Sequence, residues 1–429
     1  MDARYWCGVA RDGRPRLPRE GAASLLEGNA AMPNESTPAP SFAIKADRFV
    51  LPGGLFGPGY LPVVEGAFGV FSPEAPEGLE VVDRTGSWVA PGYVDTHIHG
   101  YVGHDVMDCD AAGVDAASLE LARRGTTSWT PTTLTQPADQ IEAACASVAE
   151  AAEGRPRDFL GARVQGIFLE GPFFTQRHAG AQNPANMCDP SIELLCRWQQ
   201  AAHGLICKSS LAPERDGSAE YCAEAERLGV TCALGHSDAT YEQGMAAVAG
   251  GATMFVHTYN GMSGHHHRAP GLLTCVMTSE GTYAEIICDG MHVDPCAVAA
   301  VVRAKGWEHT VLISDCLDCA GMPDGDYKLG DLPIRLADGL ARLVTEDGGT
   351  GNIAGSTLTM ARAAKNVFSW GIATAEQAIR MASEVPARSC GIDDACGSIK
   401  PGRDADFNVL APDLSLRETY IAGRLVPVG

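Results

Sequence analysis

Two histidines one residue apart, His97 and His99, follow Asp95 at the end of an apolar run in VAPGYVDTHIHG, residues 89–100. Polar residues of the same chemical types close other short apolar runs: Glu170 in FLEGP, His236 in LGHSD, His257 in FVHTYN, His292 in CDGMHV and Asp315 in LISDC. Imidazole and carboxylate are the ligands that a borderline divalent ion such as Zn²⁺ or Fe²⁺ accepts, and a catalytic site leaves one position open for water. Any one such histidine is more often a hydrogen-bonded structural residue than a ligand. Ligand-type residues recurring at one strand end after another are what point to a metal site.

Residues so far apart in sequence meet only if the fold collects them. From residue 91 to 385 the chain repeats short apolar runs, each followed by an Ala-rich helical stretch: VQGIFLEGP, LICKSSLAPE, VTCALGHSD, TMFVHTYNG, AEIICDGMH and TVLISDC. Strands alternating with helices predict a parallel sheet, and about eight such units over roughly 300 residues fit a (β/α)8 TIM-like barrel. The polar residues then lie at the strand ends, the face on which barrels build active sites. The stretches 42–90 and 386–429 read instead as short alternating strands with turn residues between them. We expect them to form one small β-sandwich domain beside the barrel, built from both chain ends. Residues 1–41, with RDGRPRLPRE and NESTPAPS, read as an irregular N-terminal extension.

The 429 residues carry a formal charge of −21, which argues against nucleic acid and against an anionic membrane as bulk partners. An anionic ligand must therefore be held by local cations and amides. Fifteen cysteines scattered through apolar segments read as reduced, buried thiols, and the lone C-x-x-C of Cys316 and Cys319 as neither a zinc nor a redox site. With no secretory or membrane-spanning run, a cytoplasmic protein is expected. His104, His203, His309 and the run His265–His267 fall outside the strand-end pattern and default to surface or structural roles.

In this order, PGYVDTHIHG, LEGPFF, GHSDA, HTYNGM, RAPG, DGMHV, SDC, IAGSTLTM and the closing GSIKPGRDADFNVL resemble the N-acetylglucosamine-6-phosphate deacetylase family of the amidohydrolase superfamily, from residue 42 to the end. The resemblance implies a principal metal site of Glu170, His236 and His257, with Asp315 as the catalytic carboxylate. It also implies that His97 and His99 are available for a second ion, bridged by Glu170, so that one or two divalent metals bind per subunit, zinc first and iron next. The substrate implied is a phosphorylated amino sugar. Asn260, Gly261, Arg268 and His292 would meet this sugar phosphate, Ala181 and Gln182 would also belong to the substrate site, and Ile353, Ala354 and Gly355 would lie near the acetyl group. A homodimer is implied, with His292 or Arg268 contributed across the interface; His292 has a rival assignment as a metal ligand.

Three departures from the family pattern stand out. AGAQNP places Gln182 where a histidine is usual, Gly261 replaces an alanine, and SDC replaces TDA around Asp315. A glutamine can donate a hydrogen bond but carries no charge. Rival readings are the galacto epimer as substrate, another amidohydrolase reaction, or a non-catalytic sugar-phosphate sensor. The intact Glu170, His236, His257 and Asp315 argue against the sensor.

Overall fold

The computed structural model of the protein describes residues 38–156 and 158–427. The N-terminal extension therefore lies, up to residue 37, outside the described residues.

Eight strand–helix units follow one another: β1 Tyr93–Ile98, α1 Ala111–Arg123, β2 Thr126–Thr133, α2 Ala138–Gly154, β3 Ile167–Phe173, α3 Ile192–Ala201, β4 Ile206–Leu211, α4 Ser218–Arg227, β5 Thr231–Leu234, α5 Tyr241–Ala249, β6 Met254–Phe255, α6 Leu272–Thr278, β7 Tyr283–Ile287, α7 Pro295–Lys305, β8 Thr310–Ile313 and α8 Met360–Ser369. Each strand pairs parallel with the next, β1 through β8. A parallel bridge between Ile98 and Cys316 closes the ring. At that seam the Asp315 amide donates to the His97 carbonyl at 2.9 Å and the His99 amide to the Cys316 carbonyl at 2.9 Å. Helices on the outside and packed side chains inside leave the strands buried along their whole length, as β2 and β3 are.

Local chemistry starts the helices. Asp110, Ser191, Thr240, Asp294 and Thr359 each accept an orphan amide of the first turn of α1, α3, α5, α7 and α8. Apolar side chains such as Leu121, Ile141, Trp198, Tyr221 and Val298 then seal the helices onto the barrel. Each burial of this kind contributes roughly 1.5–3 kcal/mol.

The chain ends share one sheet. Strands Phe42–Leu51, Gly54–Phe56, Gly59–Val64, Ala67–Phe68 and Val81–Pro91 join Phe407–Leu410, Leu416–Ile421 and Arg424–Leu425. The expected sandwich of two sheets is here a single eight-stranded sheet. Val81–Pro91 pairs on both sides, parallel with Phe42–Leu51 and antiparallel with Phe407–Leu410, and so welds the two halves together. A further bridge links Ala67 to Asp404, so the sheet curls over its own core of Phe42, Ile44, Phe49, Phe68, Phe407 and Tyr420.

The barrel is also not continuous from 91 to 385. Between β8 and α8 the chain inserts a four-stranded antiparallel sheet of Gly325–Leu329, Leu332–Ala337, Leu340–Val344 and Thr350–Ile353. Its small core of Leu329, Ile334, Leu336 and Ala341 packs on Leu134 and Leu317, which belong to the loops after β2 and β8. The insertion therefore stands as a wall over the catalytic face of the barrel.

Candidate active site

Period-2 alternation sends His97 and His99 to the same side of the chain leaving β1. Glu170 comes from within β3. His236, His257 and Asp315 follow two residues after the ends of β5, β6 and β8, and all three hold left-handed backbone, with φ of +44°, +24° and +51°. Such a conformation costs on the order of 1–3 kcal/mol for a residue with a side chain, and clusters where function requires it.

The four imidazoles share one orientation. Their Nδ1 atoms face groups that can only accept a hydrogen bond: the carbonyls of Thr132 for His99 (3.2 Å), His178 for His236 (2.8 Å) and Asn260 for His257 (3.1 Å), and the Glu285 carboxylate for His97 (2.9 Å). Each Nδ1 therefore carries a proton, which leaves each Nε2 the nitrogen able to turn a lone pair inward when the ring is neutral. Glu170 Oε1 lies 3.1 Å from His257 Nε2, 3.2 Å from His97 Nε2 and 3.4 Å from His236 Nε2. Its Oε2 lies 3.3 Å from His99 Nε2.

Two features of this arrangement call for a cation. His236 and His257 bring their Nε2 atoms to 3.0 Å of each other, lone pair against lone pair. His97 Nε2 is buried with no hydrogen-bond partner. The groups Glu170/His236/His257 and His97/His99/Glu170 each gather their donor atoms within 4.8 Å, with Glu170 common to both. Nitrogen and carboxylate donors in these numbers suit a borderline divalent ion.

Where no cation sits between them, the carboxylates hold protons on the imidazoles instead. Burial alone would raise the carboxyls of Glu170 and Asp315, but His97 and its neighbouring imidazoles hold both below the usual carboxylate range. Burial alone would lower His97 and His99. The carboxylates of Asp315 and Glu170 override it and raise them to about 9 and about 10. Asp315 Oδ1 sits 3.3 Å from His99 Nε2 and 3.5 Å from His97 Nε2. Asp95, by contrast, is an inter-strand tie, its Oδ1 accepting the amides of His97 and Ser314 at 3.3 Å each.

A cavity of about 500 Å³ opens above these residues. Of the residues expected to meet substrate, Ala181, Gln182, Asn260, Gly261, His292, Ile353 and Gly355 line it, while Ala354 is buried beneath. His292 lines the cavity of its own chain, its Nδ1 2.6 Å from Asp289 Oδ2, and it stands apart from the clustered ligands. Arg268 does not line it; that side chain is exposed beside His267. Gln182 is buried and clamped, its Oε1 accepting the Thr135 amide at 2.8 Å and its Nε2 donating to Glu170 Oε2 at 2.5 Å. The glutamine thus bonds directly to the shared carboxylate.

Gly355 presses its Cα against the site. A Cβ there would meet Leu317 Cδ2 at 2.5 Å and the Asp315 carbonyl at 2.9 Å, and its φ is +55°. Gly355→Ala is expected to lower stability by about 1–3 kcal/mol and to displace Asp315. Urea unfolding with an unchanged midpoint would contradict this.

Four charged residues at or under the site lie outside the strand-end pattern. Arg177 and Arg342 line the cavity; Arg177 pairs with Asp238 at 2.7 Å, and Arg342 reaches in from the inserted sheet. Lys208 and Glu285 lie fully buried under His97. Their signal was a charge inside an apolar run, in LICKSSL and AEIICDG. Cys316 and Cys319 are buried thiols outside both ligand groups. His203 pairs on the surface with Glu153, and the His266 and His267 rings lie tilted against each other in an exposed loop.

The sequence profile of the amidohydrolase family matches residues 88–426. The chain is 39% identical over 336 residues to the N-acetylglucosamine-6-phosphate deacetylase of Vibrio furnissii, covering 78% of this chain and 82% of that protein. It is 37% identical to the N-acetylgalactosamine-6-phosphate deacetylase of Escherichia coli O157:H7, covering 84% and 93%. Among solved structures it resembles a variant of the N-acetyl-D-glucosamine-6-phosphate deacetylase of Mycobacterium smegmatis in complex with N-acetyl-D-glucosamine-6-phosphate. The TM-score is 0.83 and the identity 30%, covering 90% of this chain and 99% of that one.

Proposed function

Because the chain belongs to the amidohydrolase family, we propose that it is a metal-dependent deacetylase, converting N-acetyl-D-glucosamine 6-phosphate to D-glucosamine 6-phosphate and acetate. The observation that carries this reading is the convergence of four inward Nε2 atoms and Glu170 beside the ionised Asp315, at the floor of a cavity sized for one sugar.

Glu170, His236 and His257 would hold the principal ion, with His97 and His99 available for a second; zinc suits these donors best, iron next. A bound divalent cation supplies Lewis acidity and lowers the pKa of a water. The remaining work belongs to the chain. Asp315, held ionised by the imidazoles, accepts at Oδ1 the proton of the attacking water and returns it to the departing amine nitrogen. Gln182, fixed by the Thr135 amide, keeps Glu170 in place and offers the sugar a neutral edge. Ile353 and Gly355 border the acetyl group, and Asn260, Gly261 and His292 receive the phosphate. Arg268 stands outside its own chain's cavity, which supports a homodimer in which it serves the partner's site. The many free thiols favour a reducing, cytoplasmic setting. Among the described residues no helix is long and apolar enough to cross a membrane.

Acetate release by zinc-loaded protein tests the reading, with gluco and galacto substrates compared, each with and without the 6-phosphate. The similarity to a galactosamine enzyme makes the second epimer the natural comparator. Turnover of the phosphorylated gluco sugar at the highest kcat/KM is expected. No turnover of either phosphorylated sugar, despite bound metal, would favour the sensor. Arg268→Ala is expected to raise KM for the phosphorylated sugar about tenfold or more, as loss of a charge-assisted bond does, and to leave the unphosphorylated sugar unaffected. Equal effects on both would remove Arg268 from the phosphate site.

A further inference from the structure

Of the four inward-facing histidines, three rest on backbone carbonyls; His97 alone rests on a carboxylate. That carboxylate, Glu285 of β7, is fully buried, as is its ion-pair partner Lys208 of β4. The Lys208 ammonium donates to Glu285 Oε1 and, at 2.7 Å, to the carbonyl of Thr96, the residue before His97. It also lies over the Phe168 ring, 3.6 Å from the centroid. Phe168 in turn meets the His97 ring edge-on at 4.8 Å. One buried pair thus grips His97 at its ring and at the backbone behind it, from two strands that do not neighbour β1.

Neither Lys208 nor Glu285 lines the cavity, so neither meets a substrate. Stability is a poor reason for the pair, since replacing a buried ion pair by neutral side chains of similar size is often neutral or stabilising. What the pair does provide is directional. A carboxylate on Nδ1 fixes the tautomer and makes Nε2 a stronger donor than a carbonyl would. The Nε2 so prepared is the buried atom without a hydrogen-bond partner, 3.2 Å from the shared Glu170. An unaccompanied Glu285 inside the barrel would be expensive, and Lys208 supplies its counter-charge.

We propose that Lys208 and Glu285 are positioning residues for a second divalent cation: through Glu285 on Nδ1 and Lys208 on the Thr96 carbonyl they aim His97 Nε2, so that His97 and His99 bind a metal alongside the Glu170/His236/His257 site. This rests on the two-site reading above.

The test is metal stoichiometry, read apart from activity. Metal-stripped protein is equilibrated against buffered zinc, and bound zinc per chain is measured by elemental analysis for the wild type, Lys208→Met/Glu285→Gln and Glu285→Asp. The double variant removes both charges together. Glu285→Asp keeps the negative charge but withdraws the carboxylate from Nδ1 by one methylene. Wild type is expected to bind two zinc ions. The variants should keep the first with unchanged affinity and bind the second 10–100-fold more weakly. In the manganese-loaded proteins, the spin-coupled EPR signal of a metal pair should be present in wild type and give way to that of isolated Mn²⁺. Circular dichroism identifies the variants that fold, and either one decides. Two zinc ions bound at wild-type affinity, with only the melting temperature moved, would overturn the proposal and leave the pair structural. A wild type that binds a single zinc would instead remove the two-site reading, and the proposal with it.

Discussion

Asp315→Asn is expected to lower kcat for deacetylation by about 10²–10⁴, the contribution of a positioned general acid/base, while KM and bound metal change little. The substitution isolates the proton. Asparagine has the same shape and tolerates left-handed backbone, so φ of +51° is no obstacle. The bonds that seat the residue are main-chain ones, from its amide to the His97 carbonyl and to its carbonyl from the Ser356 amide at 2.7 Å, and both survive. What disappears is the carboxylate oxygen 3.3 Å from His99 Nε2. Steady-state kinetics with elemental analysis of the same preparation separates the effects. A kcat within tenfold of wild type would move the proton acceptor elsewhere, Glu170 being the next candidate.

Glu170→Gln is expected to strip both ligand groups and to reduce activity by about 10³ or more, since Lewis-acid stabilisation is worth several kcal/mol. Glu170 is the one residue common to His97/His99 and His236/His257, with Nε2 neighbours between 3.1 and 3.4 Å. An amide puts an N–H where a lone pair is needed, and faces the Gln182 Nε2 that Oε2 now accepts. Two readouts should move together. Bound zinc falls towards zero, and the rise in melting temperature that zinc gives the wild type is lost, because a ligand that no longer binds the native state no longer stabilises it. Zinc retained at wild-type stoichiometry would show that the histidines suffice.

The candidate ligands were legible because of where barrels keep polar residues: the strand-end pattern gathered Asp95, His97, His99, Glu170, His236, His257, His292 and Asp315 without any contact being known. Narrowing these to Glu170, His236, His257 and Asp315 took the family resemblance. Their shared tautomer was not legible, since it depends on carbonyls such as those of His178 and Asn260, which every residue carries. Lys208 and Glu285 escaped because they sit inside strands, where a charge breaks the apolar pattern without ending it. The inserted sheet left a trace, turn pairs such as Asp338-Gly339 between alternating residues, but it was absorbed into the last strand–helix unit. With it went Arg342. The end domain's strands were readable, whereas one curled sheet against two packed ones is decided by Val81–Pro91 pairing on both edges.

That inserted sheet also bears on how the protein can be cut or recombined. Its core is completed by Leu134 and Leu317, which are the barrel's own residues, and it carries Arg342 and Asn352 into the cavity wall. Excising it would bare two leucines on the catalytic face and open one side of the pocket; grafting it onto another barrel would leave its apolar face uncovered. Barrel and insertion are thus one packed unit, and a smaller side chain at Leu134 or Leu317 would loosen a sheet encoded elsewhere in the chain.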